Sequence, residues 1–221
     1  MSFPILNLVV AFFLIVPLAC GGSTQYKVPL NLKEKAKAEK AVRAELPDIK
    51  ANMGDGPGES NAILGEPLPY VWTRLDHLRD EAPGSDPTQL VVKGSKKLVY
   101  PLLYDNQKIA FTVESQSKKT NTIEKWEVVS WGKSPQQGRI FDLRSKHSTA
   151  TKTPIDSYFV YSVPALNFDF LGLVGMDGKS VLIPTVTDKK MGFESGKELP
   201  ATEVLRRLRD AAKKLDQRAP G

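Results

Sequence analysis

From Leu98 to Ile183 apolar residues recur at alternate positions in one short run after another, whereas the segments before and after this block carry helical spacing. Alternation puts successive side chains on opposite faces of a pleated strand, so these runs commit the chain to a sheet with one or both faces buried. Leu98, Tyr100 and Leu102 alternate with Val99, Pro101 and Leu103; Asp105-Asn106 offers a turn; Ile109, Phe111 and Val113 then share a face. That pattern predicts a hairpin, with Pro101 favouring an edge position or a bulge because it has no N–H for a ladder. Trp126, Val128 and Ser130 alternate with Glu127, Val129 and Trp131. The loop Gly132 to Gly138 then leads into Arg139 to Leu143, and the polar, basic stretch from Ser145 to Thr153 reads as an exposed loop. Tyr158 to Val163 is apolar on both faces apart from Ser162, as in a central strand. Phe168 to Gly175 pairs with Lys179 to Ile183 across Met176-Asp177-Gly178.

Helical patterning brackets this block. Leu32 to Leu46 is rich in strong helix formers, with Glu39 four residues before Arg43, but its apolar content is mostly alanine, so a thin stripe and shallow burial are expected. It reads as a stalk or as a helix packed loosely on the domain. Pro47 and the glycines and prolines between Asn52 and Pro69 argue against regular structure and suggest a linker. Tyr70 to Glu81 places Val71, Leu75 and Leu78 on one helical face. Ala201 to Leu215 carries a clear stripe of Val204, Leu205, Leu208, Ala212 and Leu215. Helix, strands, helix in that order predict the α+β class: a mainly antiparallel β-sheet packed with flanking helices.

The first twenty residues are of another kind. FPILNLVVAFFLIVPLA, from Phe3 to Ala19, contains no ionised side chain and ends at Cys20, the only cysteine of the chain. The run has the length of a signal-peptide core and falls short of the ~20 residues that span a membrane comfortably. Small residues follow in Ala19-Cys20-Gly21-Gly22-Ser23. Leu18-Ala19-Cys20 resembles the end of a bacterial lipobox, in which the cysteine thiol receives diacylglycerol and becomes the new N-terminus. That resemblance implies lipid attachment at Cys20 and a cell-envelope address on the periplasmic or outer surface. Gly21, lacking the aspartate that retains enteric lipoproteins at the inner membrane, implies the outer membrane. Plain secretion after a cut beyond Gly21, and an uncleaved N-terminal anchor, are the alternatives. The resulting organisation is a signal segment over 1–19, a lipid-anchored helix and Gly/Pro-rich linker over 20–69, an α+β domain over 70–217 and a tail over 218–221.

Residues 1–20 contain no Lys, Arg, Asp or Glu, so the whole formal charge of +6 belongs to the exported portion. A basic balance favours anionic partners, but 31 basic and 25 acidic residues are largely interleaved, which describes a solvated surface. Export argues against nucleic acid. With one cysteine no intramolecular disulfide can form, and stability must come from packing.

The chemistry-bearing strings mostly exclude. Gly178-Lys179-Ser180 resembles the end of a phosphate-binding loop, yet Leu173 stands where that loop needs its first glycine, and Val181 to Pro184 continues as a strand where a helix should begin. Only His77 and His147 are available as bases or ligands, and neither has spaced partners for a metal. No Gly-x-Ser-x-Gly elbow occurs, and Ser134 reads as a turn residue. Nothing selects two carboxylates for glycoside chemistry. Aromatic residues including Trp126 and Trp131 could line a concave ligand site, although by their alternation most of these read as core, and Trp72, just after the proline-rich stretch, is the one expected as an exposed contact. The sequence thus predicts an exported lipoprotein, tethered to the membrane through Cys20, that is a non-catalytic binding or assembly module for a protein or envelope polymer, with no cofactor and no metal. The alternatives are a hydrolase or transferase whose site assembles in space, around 132 to 157, and a structural component of an envelope complex.

Overall fold

A computed structural model describes residues 32–52, 62–80, 96–104, 107–116, 125–174 and 179–216. The signal segment, Cys20 and the turns at Asp105-Asn106 and Met176–Gly178 lie outside the described residues. In chain order the elements are α1 (Leu32–Asn52), β1 (Ala62–Leu64), β2 (Leu68–Trp72), α2 (Leu75–Asp80), β3 (Lys96–Tyr104), β4 (Gln107–Gln116) and β5 (Lys125–Gly132). They continue with α3 (Pro135–Thr151), β6 (Tyr158–Val163), β7 (Phe168–Val174), β8 (Ser180–Pro184), β9 (Leu199–Pro200) and α4 (Ala201–Asp216). Among the described residues the strands form one nine-stranded sheet, ordered β5-β4-β3-β2-β6-β7-β8-β9, with β1 added beside β2 on β3. Every pairing is antiparallel except β2 with β6. The fold is α+β with a mainly antiparallel sheet and flanking helices.

Register decides which helix covers which face. Pro69 pairs with Leu98 and Val71 with Tyr161, so the face carrying Leu98, Tyr100 and Phe111 is the face carrying Phe159, Tyr161 and Phe170. Over that single face lie two helices side by side. α1 packs on β3, β4 and β5 through Ala38, Val42 and Ile49, and α4 packs on the β6–β8 half through Val204, Leu205, Leu208 and Ala212. α3 covers the opposite face, where Ile140 and Phe141 meet Leu68, Val99, Val160 and Leu171.

α1 is buried more deeply than its composition suggests: Ala38, Val42 and Ile49 are all 0% exposed. The bulk comes from the sheet, where Tyr100, Tyr104, Phe111 and Trp126 rise toward the helix, so small residues on α1 let the two approach. The Tyr100 hydroxyl donates to the Lys35 carbonyl at 3.2 Å, and Lys35 pairs with Glu66 in the β1–β2 connection. The helix also runs through Pro47. An interior proline costs ~3 kcal/mol, and full burial of Ile49 beyond it contributes a comparable ~1.5–3 kcal/mol.

Three other expectations are corrected. The stretch up to residue 69 is not all tether: β1 and the start of β2 are paired with β3, and a boundary at residue 70 would cut through β2. Glycine and proline there shorten the strands around Gly65-Glu66-Pro67 without abolishing them. The helix expected over Tyr70 to Glu81 is confined to Leu75–Asp80, because Tyr70, Val71 and Trp72 pair with β6. Arg139 to Leu143 and the loop after it form one helix, α3. Ser134 caps it, its side chain accepting from the Gln137 amide, Pro135 opens it, and Lys152 in the left-handed region (φ 57°) closes it. Its polar half is self-satisfied: Ser145, Thr149 and Thr151 donate their hydroxyls to the carbonyls of Phe141, Ser145 and His147.

Pro101 is neither at an edge nor at a bulge. β3 pairs with β4 on one side, and on the other Pro101 falls at the break between β1 and β2, its carbonyl accepting from the Gly65 amide at 2.8 Å. A residue's N–H and C=O point to the same side of a strand, so the missing donor faces that break and no ladder bond is lost. Gly172, opposite Phe159, is required by packing: a Cβ there would lie 2.3 Å from the Phe159 ring.

Candidate functional site

The terminal strand β5 carries two of the three tryptophans named from sequence. Between Thr112 and Val113 the β4–β5 register shifts, so that Val113 faces Val128 while Thr112 faces Ser130 and Val129 is the extra residue. Five positions separate Trp126 from Trp131, which in an unbroken strand would send them to opposite faces. The bulge reverses that, and Trp126, Val128 and Trp131 all lie on the face that α1 covers.

Trp126 is 5% exposed and Trp131 39%. Beside Trp126 the outer flank of α1 and the strand edge bound an open groove of ≈ 700 Å³, lined by Lys37, Lys40, Ala41, Ala44, Lys125 and Trp126, with Val128, Glu45 and Glu127 completing it. The helix residues of this lining, at 37, 40, 41, 44 and 45, form one helical stripe next to the one that Ala38 and Val42 bury. Alanine at 41 and 44 is what leaves the space open. Trp126 Nε1 is buried with no hydrogen-bond partner among the described residues. Buried donors are nearly always satisfied, and leaving one unpaired costs ~1–3 kcal/mol.

The charges of the groove are sorted along it. Lys125 and Glu127 pair at 2.9 Å, and Glu127 holds the Lys125 ammonium above its ordinary pKa, chiefly through that hydrogen bond. Glu39 is taken by Arg43, four residues on, at 2.7 Å. Lys37 and Lys40 are exposed, and no ion pair engages either among the described residues. The N-terminal half of the groove is therefore cationic, and Glu45 marks its other end.

Trp72 is not brought to this place. It ends β2 on the α3-covered face, and Lys97 Nζ sits 5.9 Å from its ring centroid. It borders a separate groove of ≈ 430 Å³ with Arg74, Asp76, Pro164 and Ala165. The Arg74 guanidinium, 2.9 Å from Asp76, lowers that carboxyl's pKa.

Two polar arrays were not visible in the sequence as sites. At the end of the parallel pair the Ser162 hydroxyl lies beside both the Tyr70 hydroxyl and the Asp169 carboxyl and favours the ionised form of each. Burial raises the Asp169 carboxyl above its ordinary range, against Ser162 and the charge of Arg139, and burial likewise raises the Tyr70 hydroxyl. The only signal was Ser162 itself, the one polar residue of β6. The second array joins α3 to the segment before β9. His147 Nε2 donates to Glu198 at 2.6 Å, since a carboxylate can only accept, and its Nδ1 is hydrogen-bonded with the Tyr158 hydroxyl at 2.8 Å. His147 is thus no plain surface residue. This carboxylate–imidazole–hydroxyl relay has the form of a nucleophile triad, but Tyr158 is 1% exposed, which makes the array a tie between α3, β6 and residue 198.

Among the described residues no three His, Cys, Asp or Glu side chains gather to hold a metal ion, and no helix is long and apolar enough to cross a membrane. Compared with family models, curated proteins and solved structures, the chain matches none.

Proposed function

We propose that the protein is an exported cell-envelope lipoprotein, tethered through Cys20, whose α+β domain is a non-catalytic binding module with its ligand site in the groove between α1 and β5. The observation that carries the binding half is that groove: open, floored by an aromatic ring, with an indole donor and two lysines that have no partners among the described residues. Aromatic area with a polar handle is the composition of recognition surfaces. The tethering half rests on the resemblance of Leu18-Ala19-Cys20 to the end of a lipobox after an uncharged apolar run.

The test is intact mass and fractionation of the native protein beside a Cys20→Ser version, combined with the Trp126 indole N–H resonance as a reporter of the groove. A diacylglycerol-bearing Cys20 that is lost in the variant, and an indole signal that moves when envelope extract is added, are the expected results. An unmodified N-terminus beyond Gly21 overturns the tether. An indole signal indifferent to extract overturns the groove.

A further inference from the structure

The groove adjoins the unpaired side of β5, and that adjacency narrows what can fill it. β5 ends the described sheet, and along Lys125–Val128 alternate backbone N–H and C=O groups meet no described strand on the outer side. Terminal strands are normally blunted by charge or bulges. Here the bulge lies at Val129, past the groove, and the four residues before it keep a regular register with Gln116 to Val113 of β4. Backbone groups in extended register beside a cleft with an aromatic floor are the ingredients of strand addition, in which main-chain bonds give affinity and alternate side chains enter pockets.

Taking the groove as the ligand site, we propose that β5 accepts an extended acidic segment of a partner protein as an added strand, its alternate side chains lodged between α1 and Trp126. Charge selects the class of segment. Among the described residues Lys37 and Lys40 have no ion pairs, whereas Glu127 is paired with Lys125. Acidic residues of the incoming strand meet Lys37 and Lys40, apolar ones meet Ala41, Ala44 and the Trp126 ring, and a main-chain carbonyl takes the indole N–H. Polymers without a peptide backbone can satisfy the lysines but cannot continue the ladder. The free helix flank, the small residues on it and the strand edge then belong to one surface.

The experiment follows amide exchange and the Trp126 indole resonance of the full chain during titration with three synthetic decapeptides. One has threonine at every second position and glutamate and valine in turn between, so that both fall on one strand face; a second has lysine for glutamate, and the third carries two prolines that forbid a ladder; polygalacturonate is a backbone-free polyanion. The expected result is slowed exchange of the 125–128 amides and a shifted indole with the acidic peptide alone. Trp126→Phe should weaken that peptide about three- to tenfold, the worth of one hydrogen bond, and Lys37→Glu with Lys40→Glu should transfer preference to the lysine peptide. An indole shift with polygalacturonate or with the proline peptide, without protection of 125–128, overturns strand addition and leaves the groove as a ligand site. No response at Trp126 to any probe overturns both.

Discussion

On one face of the same sheet, α4 and α1 do the same job in different ways. α4 brings its own bulk: Val204, Leu205 and Leu208 interlock with Phe159, Phe170 and Phe193, and the half of the sheet beneath it is sealed. The Phe193 ring meets Phe168 and Phe170 edge-on, with centroids 5.3 Å apart in each case, and the Arg207 guanidinium lies 5.6 Å from the Phe193 centroid. α1 packs Ala38, Val42 and Ile49, with Ala41 and Leu46 at the margin, and most of the bulk beneath it comes from the tyrosines, phenylalanine and tryptophan of β3–β5. Large residues from both partners close a seam. Large residues from one partner leave a cleft wherever the helix turns an alanine outward, and at Ala41 and Ala44 that cleft opens onto the sheet edge. The larger groove lies on the α1 side, and a smaller one of ≈ 330 Å³ borders α4 at Ala211 and Leu215.

The sharpest way to break this contrast is to truncate one buried residue under each helix. Leu208→Ala, at 0% exposure, should cost ~2–5 kcal/mol, and Val42→Ala about 1–2 kcal/mol from two lost methyl groups, both read from urea unfolding midpoints. A larger loss at Val42 would mean that α1, not α4, closes the core. Next in size is Gly172→Ala, where the new methyl meets the Phe159 ring at 2.3 Å. Overpacking should cost ~1–3 kcal/mol, and Phe159→Leu in the same chain should recover part of it. Additive losses would show that the two residues do not share the strain.

The sealed half is also the half that could be read from sequence. The stripe of α4, the two-faced apolarity of β6 and the β7–β8 hairpin all announce themselves, because both partners of each contact are large and periodic. The β3–β4 hairpin was legible for the same reason. What could not be read depends on contacts remote in sequence. Ala38 looks too small for a core until Tyr100 and Phe111 are placed beneath it, and Tyr70 to Trp72 reads as helix until β6 is set beside it, some ninety residues on. α3 was hidden by its Ser- and Thr-rich end, although Ser134-Pro135 was an available start signal. The candidate site was half legible. Trp126 and Trp131 stood out by residue type, but only the bulge at Val129 puts them on one face, and nothing in the order of residues showed Trp72 to belong elsewhere. Ser134→Ala measures that hidden signal directly: loss of the cap should lower stability by ~1 kcal/mol and lower helical ellipticity, with no effect on the Trp126 environment.

The smallest expected effect separates the halves by pH. In the sealed half, on the face that α3 covers, Asp169 is 8% exposed, and burial raises its pKa above the ordinary carboxyl value of 3.8 despite Ser162 and Arg139. A carboxyl whose pKa is higher folded than unfolded binds more protons in the native state, so stability falls as pH rises through the interval above 3.8 and is fully present below it. Asp169→Asn keeps a partner for Ser162 and removes that charge, so the variant should gain on the parent as pH rises from 3.5 to 7. On the α1 side Glu39 is paired at the surface with Arg43, a contact worth ~0–1 kcal/mol, and Glu39→Gln should show no such gain. Unfolding midpoints of the two variants against the parent at pH 3.5, 5 and 7 decide it. A flat difference for Asp169→Asn would mean that Arg139 and Ser162 fully offset the burial of the carboxylate. The sealed half would then tolerate charge as readily as the open one, and the contrast would reduce to packing alone.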